Sequence, residues 1–587
     1  MKSLCNTISC LLIDFKRLVP DVKGLDRDYA TVLARVEHEG TGFLTRTLPL
    51  FGAEIDLSLS LERWTQCSFF ARKKGMSLPS FLIGLTSRVF DEKSGLLLDN
   101  PSVEAVKCLR EFCYLFKKLG LTDDQDEHLD RRAKLGFFKC DSDICLSDRY
   151  LSALEAVSRE VLIDLDEFDN LPYKHGPGAV SEKLSPNQKW SGVVSGLFDF
   201  DPLLVHSGFG VEIFNAKQNE PSRPDIVLGD IARLISVAKN SSSRRTITIE
   251  PLLKQYIQQG LHRHLKRTIR HDFVLSNCLS LSDQSRNQRL ALIGSLTGEY
   301  ATIDLSSASD RLSLEVVTAV FGHHHRFLSM MLLSRAERVD LSTVSLRKFA
   351  GMGNALTFPV QSVVFSLVAM SAILSAEGQT PTLRNLRRVS HSIQVYGDDI
   401  IVPTRYYSQV VEWLESFGLV INQKKSFHRG NFRESCGVDA FKGYNVTPKY
   451  LRHEPSFTSN SAKALEALVE LSNHMWDDCL YTTSEYLRAA VEKSIQFSLP
   501  LVGRKSSCLG WHTRRDAYNF SRWNYTLHRF EVRSLVGSPV YRKDPLDGHA
   551  ALMKSLSVPL LGRDIGHLKR SPRRHSLCHK VRWVRAS

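Results

Sequence analysis

Between Ala350 and Ala376 the chain carries no charged residue. An apolar run of that length is long enough to cross a bilayer, so it restricts the fold to two choices: a membrane span, or a helix walled in by protein on every side. Gly351, Gly353, Asn354, Thr357, Pro359, Gln361 and several serines interrupt the run, and no second run of the kind occurs. It is read as a buried helix at the centre of a soluble fold. The apolar stretch Ile8–Ile13 is short and meets Asp14 at once, which is not the form of a signal peptide.

What flanks this run carries the chemistry. Upstream, Tyr300-Ala-Thr-Ile303 reads as a buried strand ending in Asp304. Leu305-Ser-Ser-Ala-Ser309-Asp310 then leads into a helix with Leu312, Leu314, Val316, Val317 and Val320 as apolar positions, and Ser309 or Asp310 suits its N-cap. Asp304 has no such role, and a carboxylate closing a hydrophobic strand is costly unless exposed, paired or bound to a metal. Downstream, Ile393-Gln-Val395 and Ile400-Ile-Val402 flank Tyr396-Gly397-Asp398-Asp399, a hairpin with two acids at its tip. Asp and Gly are ordinary turn residues, yet adjacent anions at a tip repel one another without a cation. Carboxylates at the ends of two neighbouring strands suit Mg²⁺, which binds through one or two of them and substrate phosphates. Two ions about 3.5–4 Å apart would activate an attacking hydroxyl and stabilise leaving pyrophosphate.

Three further segments supply candidate ligand contacts. In Gly351-Met-Gly-Asn354-Ala-Leu-Thr357 the glycines let backbone approach a ligand closely, and Asn354 is suited to sensing a ribose hydroxyl; the plain alternative is a glycine-rich helix start. It is no Walker loop, because no Gly-Lys-Ser/Thr follows. Lys239-Asn-Ser-Ser-Ser-Arg244-Arg245 reads as a polar loop feeding the strand Thr246–Ile249, and arginine forks match triphosphate oxygens. Arg263, Lys266, Arg267 and Arg270 share one helix face. After the GDD hairpin, Tyr406 to Phe417 has the pattern of an amphipathic helix capped by Gly418. Leu419–Ile421 reads as a strand, beyond which Lys424 or Lys425 is placed to protonate pyrophosphate.

Composition narrows the partners. Hydrophobic residues make up 43% and charged residues 24% of the 587, which argues against a largely disordered chain. The net charge of +14 favours polyanions such as nucleic acid, and the stretch Arg563–Arg585 is strongly basic, with Asp564 its single acid. The acidic clusters Asp123–Asp130 and Asp164–Asp169 lack the glycine and terminal glutamate of a calcium loop and read as helix starts or solvated faces. The 12 cysteines lack zinc-ligand spacing and read as reduced thiols of a cytosolic protein.

In this order the segments resemble RNA-directed RNA polymerases, most closely the replicase β subunits of small RNA bacteriophages of the levivirus, Qβ type. The strings that carry the resemblance are Ile303-Asp-Leu-Ser-Ser-Ala-Ser-Asp310, Met352-Gly-Asn-Ala-Leu-Thr-Phe358, Tyr396-Gly-Asp-Asp399 and Lys424-Lys-Ser-Phe427. Phe432-Arg-Glu-Ser-Cys-Gly437 with Val446-Thr-Pro448 looks like the palm–thumb junction of those enzymes, and Arg245–Pro251 like the strand where nucleotides enter.

The resemblance implies an α+β right-hand fold. Residues 1–299 would form an N-terminal region and fingers, with the nucleotide strand near 239–251. Residues 300–445 would form a palm of antiparallel sheet and helices with a fingers insertion, and 446–587 a mostly helical thumb and basic tail. It implies two Mg²⁺ ions on Asp304, Asp398 and Asp399, with Lys424 or Lys425 as the acid. Lys239, Arg244 and Arg245 would hold the triphosphate, while Asp310 and Asn354, with Thr357 nearby, would read the ribose 2′-hydroxyl. Gln361 departs from the G-x-x-x-T-x-x-x-N pattern of many viral polymerases. Also implied are RNA template and product, ribonucleoside triphosphates, host elongation factors Tu and Ts with a ribosomal protein, no membrane, and the cytoplasm of a bacterial host. Two rivals stand beside this. A reverse transcriptase usually has another residue at Gly397, and a non-catalytic RNA-binding palm-like subunit has no need of three aspartates at strand ends.

Overall fold

The computed structural model describes residues 2–65, 68–120, 123–168, 171, 173–176, 178–184, 188–189, 192, 231–340, 342, 344–506, 508–513, 522–539, 548–549, 552–553 and 577–585. They form an α+β arrangement in which every strand pairing but one is antiparallel. In chain order the strands are β1 (Arg233–Asn240), β2 (Ser243–Ile249), β3 (Tyr300–Ile303), β4 (Gln394–Tyr396), β5 (Asp399–Pro403), β6 (Phe432–Ser435), β7 (Val438–Phe441) and β8 (Tyr444–Asn445). There follow β9 (Leu501–Val502), β10 (Trp511–His512), β11 (Arg522–Asn524), β12 (Arg529–Pro539) and β13 (Leu577–Arg585).

The uncharged run forms the helix Thr357–Ala376 and is buried along nearly its whole length. Apolar on all sides, it must be covered on all sides. The helices Leu151–Ser158, Leu383–Ser390 and Tyr407–Ser416 do this, together with β4 and β5. Around it lies one apolar core drawn mainly from residues 154–421. It is the only helix among the described residues long and apolar enough to cross a membrane, and its burial within protein accounts for that composition.

A second core is stitched from distant parts of the chain, joining residues 4–119 to residues 427–535. At its centre the guanidinium of Arg110 is buried between Asp56 and Asp439 and donates through Nε to the Val446 carbonyl at 3.0 Å. Asp14, on the helix Lys2–Leu18, accepts from the backbone N–H groups of Thr482 and Thr483 at 2.9 Å each. These are orphan donors in the first turn of the helix Tyr481–Ile495, where an anion is favoured.

The sheet that positions the candidate site has the order β3-β5-β4. Ile303 lies opposite Ile400, and Tyr396 opposite Asp399, leaving Gly397 and Asp398 as a two-residue turn. Gly397 has φ +65°. A Cβ there would lie 2.8 Å from the Phe358 ring, so both conformation and space demand glycine.

Four local expectations are corrected. Residues 239–245 are mostly strand: Lys239 and Arg245 are exposed on a hairpin whose turn shrinks to Ser241 and Ser242, with Ser241 buried. The helix expected from Asp310 is broken into Ala308–Arg311 and Leu314–Phe321, the second capped by Ser313 through the N–H of Val316. Leu419–Ile421 is not a strand; it makes one bridge, Ile421 with Leu305. In 446–587 the described residues beyond the helix Tyr481–Ile495 are mainly strands, with helical residues only at 548–549 and 552–553, since the alternating residues of β12 pair with both β11 and β13.

Candidate active site

Antiparallel register brings the acids together. Because Ile303 pairs with Ile400, the next residue of one chain, Asp304, emerges at the same sheet end as Asp399 and the turn residue Asp398. Adjacent strands are about 4.7–4.9 Å apart. The segment 422–426 clamps Asp304: Asn422 Nδ2 donates to its Oδ2 at 2.7 Å, Asn422 N to its carbonyl at 2.9 Å, and its own N–H donates to Ser426 Oγ at 3.1 Å. Burial raises the Asp304 carboxyl to about 6, with Glu434 and Asp398 adding to it and Lys425 and Asn422 opposing. That carboxyl therefore releases its proton near neutrality unless a cation arrives.

Asp399 behaves differently. Its Oδ1 accepts from Cys436 N at 3.0 Å and Ser435 Oγ at 3.3 Å, at the turn joining β6 and β7, where Cys436 takes φ +49°. Burial raises this carboxyl too, with Asp398 contributing. Among the described residues no three His, Cys, Asp or Glu side chains converge as a ready-made metal cage. Asp304 and Asp398 are the pair at the mouth, and Asp399 is tied to its neighbours. A two-carboxylate donor set completed by substrate phosphates fits Mg²⁺.

Cations ring the pair. Lys425 is bonded to Glu434 at 2.6 Å; burial pulls its ammonium down, but Glu434, Asp304 and Asp439 outweigh that and hold it above the usual lysine range. Lys424 is exposed. Lys239 sits at an irregularity in the β1–β2 register, the kind of bulge that re-aims a side chain. Its ammonium is lowered by burial, then by Arg245 and Lys425, and raised by Asp304 and Asp398. The residue itself stays solvent-accessible, as a side chain lining an open cleft does. Arg245 is exposed beside it. Arg244, one residue on, is engaged elsewhere by Asp126 and by Ser236, so it does not join the group.

Asp310 is held by Lys348 at 3.3 Å and raised by burial. Thr357 Oγ1 donates to the Gly351 carbonyl at 2.8 Å, and Asn354 Oδ1 accepts from Leu356 N at 2.8 Å. Two buried polar atoms here have no protein partner, Asn354 Nδ2 and Gln361 Oε1. An unmet buried group costs about 1–3 kcal/mol, so these atoms suit a ligand that supplies an acceptor and a donor. Ser362 Oγ accepts from Gly397 N at 3.0 Å, fixing this helix end beneath the aspartate turn. The glycines of this segment approach β2 rather than open space: Thr248 N donates to Met352 O at 2.7 Å, and a Cβ at Gly353 would meet the Thr248 carbonyl.

Sequence reasoning missed Lys117, Lys118 and Arg452. The turn of the β1–β2 hairpin docks on the Lys117 carbonyl through Ser241. The Lys117 ammonium is lowered by burial and then Lys425, and that of Lys118 by burial, Arg452, Lys117 and Lys425. Nothing in a Lys-Lys pair after an apolar helix announces this; only the tertiary fold brings it to the site.

Comparison with known proteins bears on the same residues. Residues 221–477 match the family described as RNA replicase, beta-chain. The RNA-directed RNA polymerase subunit beta of Enterobacteria phage SP is 30% identical over 367 residues, 60% of this chain and 61% of that protein. That of Escherichia virus Qbeta is 33% identical over 282 residues, 46% of this chain and 45% of that one. The corresponding beta chain of Escherichia phage MS2 is 34% identical over 244 residues, 40% of each chain. The matches thus span about two fifths to three fifths of these relatives. Among solved structures, the RNA-dependent RNA polymerase of a human picobirnavirus aligns with 45% of this chain and 57% of its own at 13% identity and a TM-score of 0.33, too slight a likeness to bear on the fold. The chain is similar to the replicase beta chains of RNA bacteriophages, and the similarity runs through the whole segment that carries the paired aspartates.

Proposed function

We propose that this chain is an RNA-directed RNA polymerase that joins a ribonucleotide to the 3′-hydroxyl of a growing RNA on an RNA template and releases pyrophosphate. The observation that carries this is the register of β3 against β5, which sets Asp304 beside Asp398 at one sheet end. Asp304 and Asp398, with Asp399 behind them, would hold Mg²⁺ together with substrate phosphates, and the bound ions would activate the attacking hydroxyl and steady the leaving group.

The other residues position and discriminate. Lys239 and Arg245, with Lys117 and Lys118 beyond them, would hold the triphosphate by charge. Asn354 Nδ2 would find the ribose 2′-hydroxyl as the acceptor it lacks within the protein, and Gln361 Oε1 takes the place of the asparagine common in that pattern. Lys425 keeps Asp304 ionisable, while exposed Lys424 protonates the leaving pyrophosphate. In the right-hand description, 300–445 would be palm. RNA, ribonucleotides and host subunits, elongation factors Tu and Ts and a ribosomal protein, would be the partners, in the cytoplasm of a bacterial host.

The test is incorporation of labelled ribonucleotides by the purified chain with Mg²⁺ and an RNA template, with and without bacterial extract, beside the Asp398→Asn chain. Template-dependent synthesis lost in the variant supports the assignment; equal synthesis by both chains, or equal use of deoxyribonucleotides, defeats it.

A further inference from the structure

The β11–β12–β13 sheet lies outside the segment shared with the replicase family. One half of it is anchored. Leu535 is buried in the core that joins the chain's two ends, and His579 lies 3.2 Å from Glu466 on the helix Ala462–Asp477. The other half packs Val532 and Val584 against Val502 and Cys508 with one face and leaves its opposite face outward. On the other face of these strands the register places Arg522, Glu531 and Arg585 in one cross-strand row and Arg533 with Trp583 in the next. Arg522 and Arg529 both bind Glu531, each at 2.8 Å, so the one acid is occupied. Arg522 also lies over the Trp583 ring, 4.3 Å from its centroid. Trp583 remains 38% exposed, and Arg533 and Arg585 are exposed beside it.

A flat aromatic flanked by arginines at strand spacing is what a single-stranded nucleic acid needs: a surface for a base to stack on and forks for the phosphates either side. An acidic protein would use the charge but has no need of an indole that stays exposed with a guanidinium stacked on one side of it. We propose that this half-sheet is a second binding surface, for single-stranded RNA, centred on Trp583 with Arg533 and Arg585 as phosphate contacts. It gives a role to β13, the described part of the basic C-terminal stretch. It stands apart from the paired aspartates and needs only that the chain meets RNA.

The experiment measures binding of a fluorescent 20-nucleotide oligouridine to the full chain across a salt series, in the Asp398→Asn background so that synthesis does not intrude. Trp583→Ala is expected to weaken binding about tenfold, with Trp583→Phe restoring most of it. The double change Arg533→Ala with Arg585→Ala is expected to flatten the slope of log affinity against log salt by about 1.4. Unchanged affinity in Trp583→Ala, or an unchanged slope in the double variant, overturns the proposal. So does polyglutamate competing as well as oligouridine, which would mark an acidic protein's site. Incorporation by the unmutated chain is assayed in parallel. Synthesis with intact binding in the variants sinks this surface alone; weakened binding with no synthesis at all sinks the catalytic assignment alone.

Discussion

The two apolar cores are built in opposite ways. One gathers around the helix Thr357–Ala376 from a largely continuous stretch, residues 154–421. The other joins residues 4–119 to 427–535 and is pinned by buried ions, Arg110 between Asp56 and Asp439. The first presents the aspartate turn; the second supplies Lys117, Lys118 and Glu434 around it, with Lys425 between the two. On the proposed function, chemistry would fall to the continuous core and its electrostatic surroundings to the stitched one. Substitutions in the two should fail differently.

The largest expected effect is on chemistry without loss of fold. Asp398→Asn should lower ribonucleotide incorporation about 10³-fold while leaving the thermal midpoint within a degree or two; a matching fall in thermal stability would break the division of labour. Arg110→Met should do the converse. Two buried carboxylates lose their shared cation, costing about 3–5 kcal/mol, read as a lower denaturant midpoint with both chain ends losing protease resistance together. Smaller again, Lys424→Met should lower kcat about 10²-fold with KM little changed, whereas Lys425→Met should instead push the Asp304 carboxyl further up.

How much of this was legible follows from where each signal lives. Asp304 and the GDD turn were readable because strand alternation and turn chemistry are local, and the uncharged run could only be buried or in lipid. Lys239 to Arg245 read as a loop because Ser, Asn and Arg in a hairpin look the same in either state, and the contacts that dock it are made only by distant residues. Asp310 gave no sign of Lys348, nor Lys117 of Lys425, since those pairings exist only after residues far apart in the chain meet. Arg244 and Arg245 are neighbours in sequence, yet strand alternation sends the first to Asp126 and leaves the second near Lys239.

Two finer tests sharpen the comparison. Gly397→Ala should cost about 1–2 kcal/mol from its left-handed backbone alone, more with the Phe358 contact, measured by chemical denaturation. The smallest effect is on pH dependence. Because the Asp304 carboxyl sits at about 6, the folded chain holds that proton where the unfolded chain has released it. Without divalent cation, stability should therefore fall as pH rises from about 4 to 6, and Asp304→Asn should remove one proton's share of that slope, leaving the share of the other buried carboxyls. In activity, kcat/KM should climb through about pH 6 at limiting Mg²⁺, and the rise should move to lower pH as Mg²⁺ saturates. A limb that ignores Mg²⁺ would separate Asp304 from the ion.

The stitched core also sets a timetable. The apolar residues of 4–119 share their core with those of 427–535, which the ribosome makes only after the intervening stretch. At about 5–20 residues per second, that leaves the early helices waiting on the order of 20–80 s for their other half. During that interval the nascent chain exposes apolar surface that a chaperone would cover. A messenger cut short before the codons for Ala462–Asp477 would then yield a product that aggregates rather than one that copies RNA slowly.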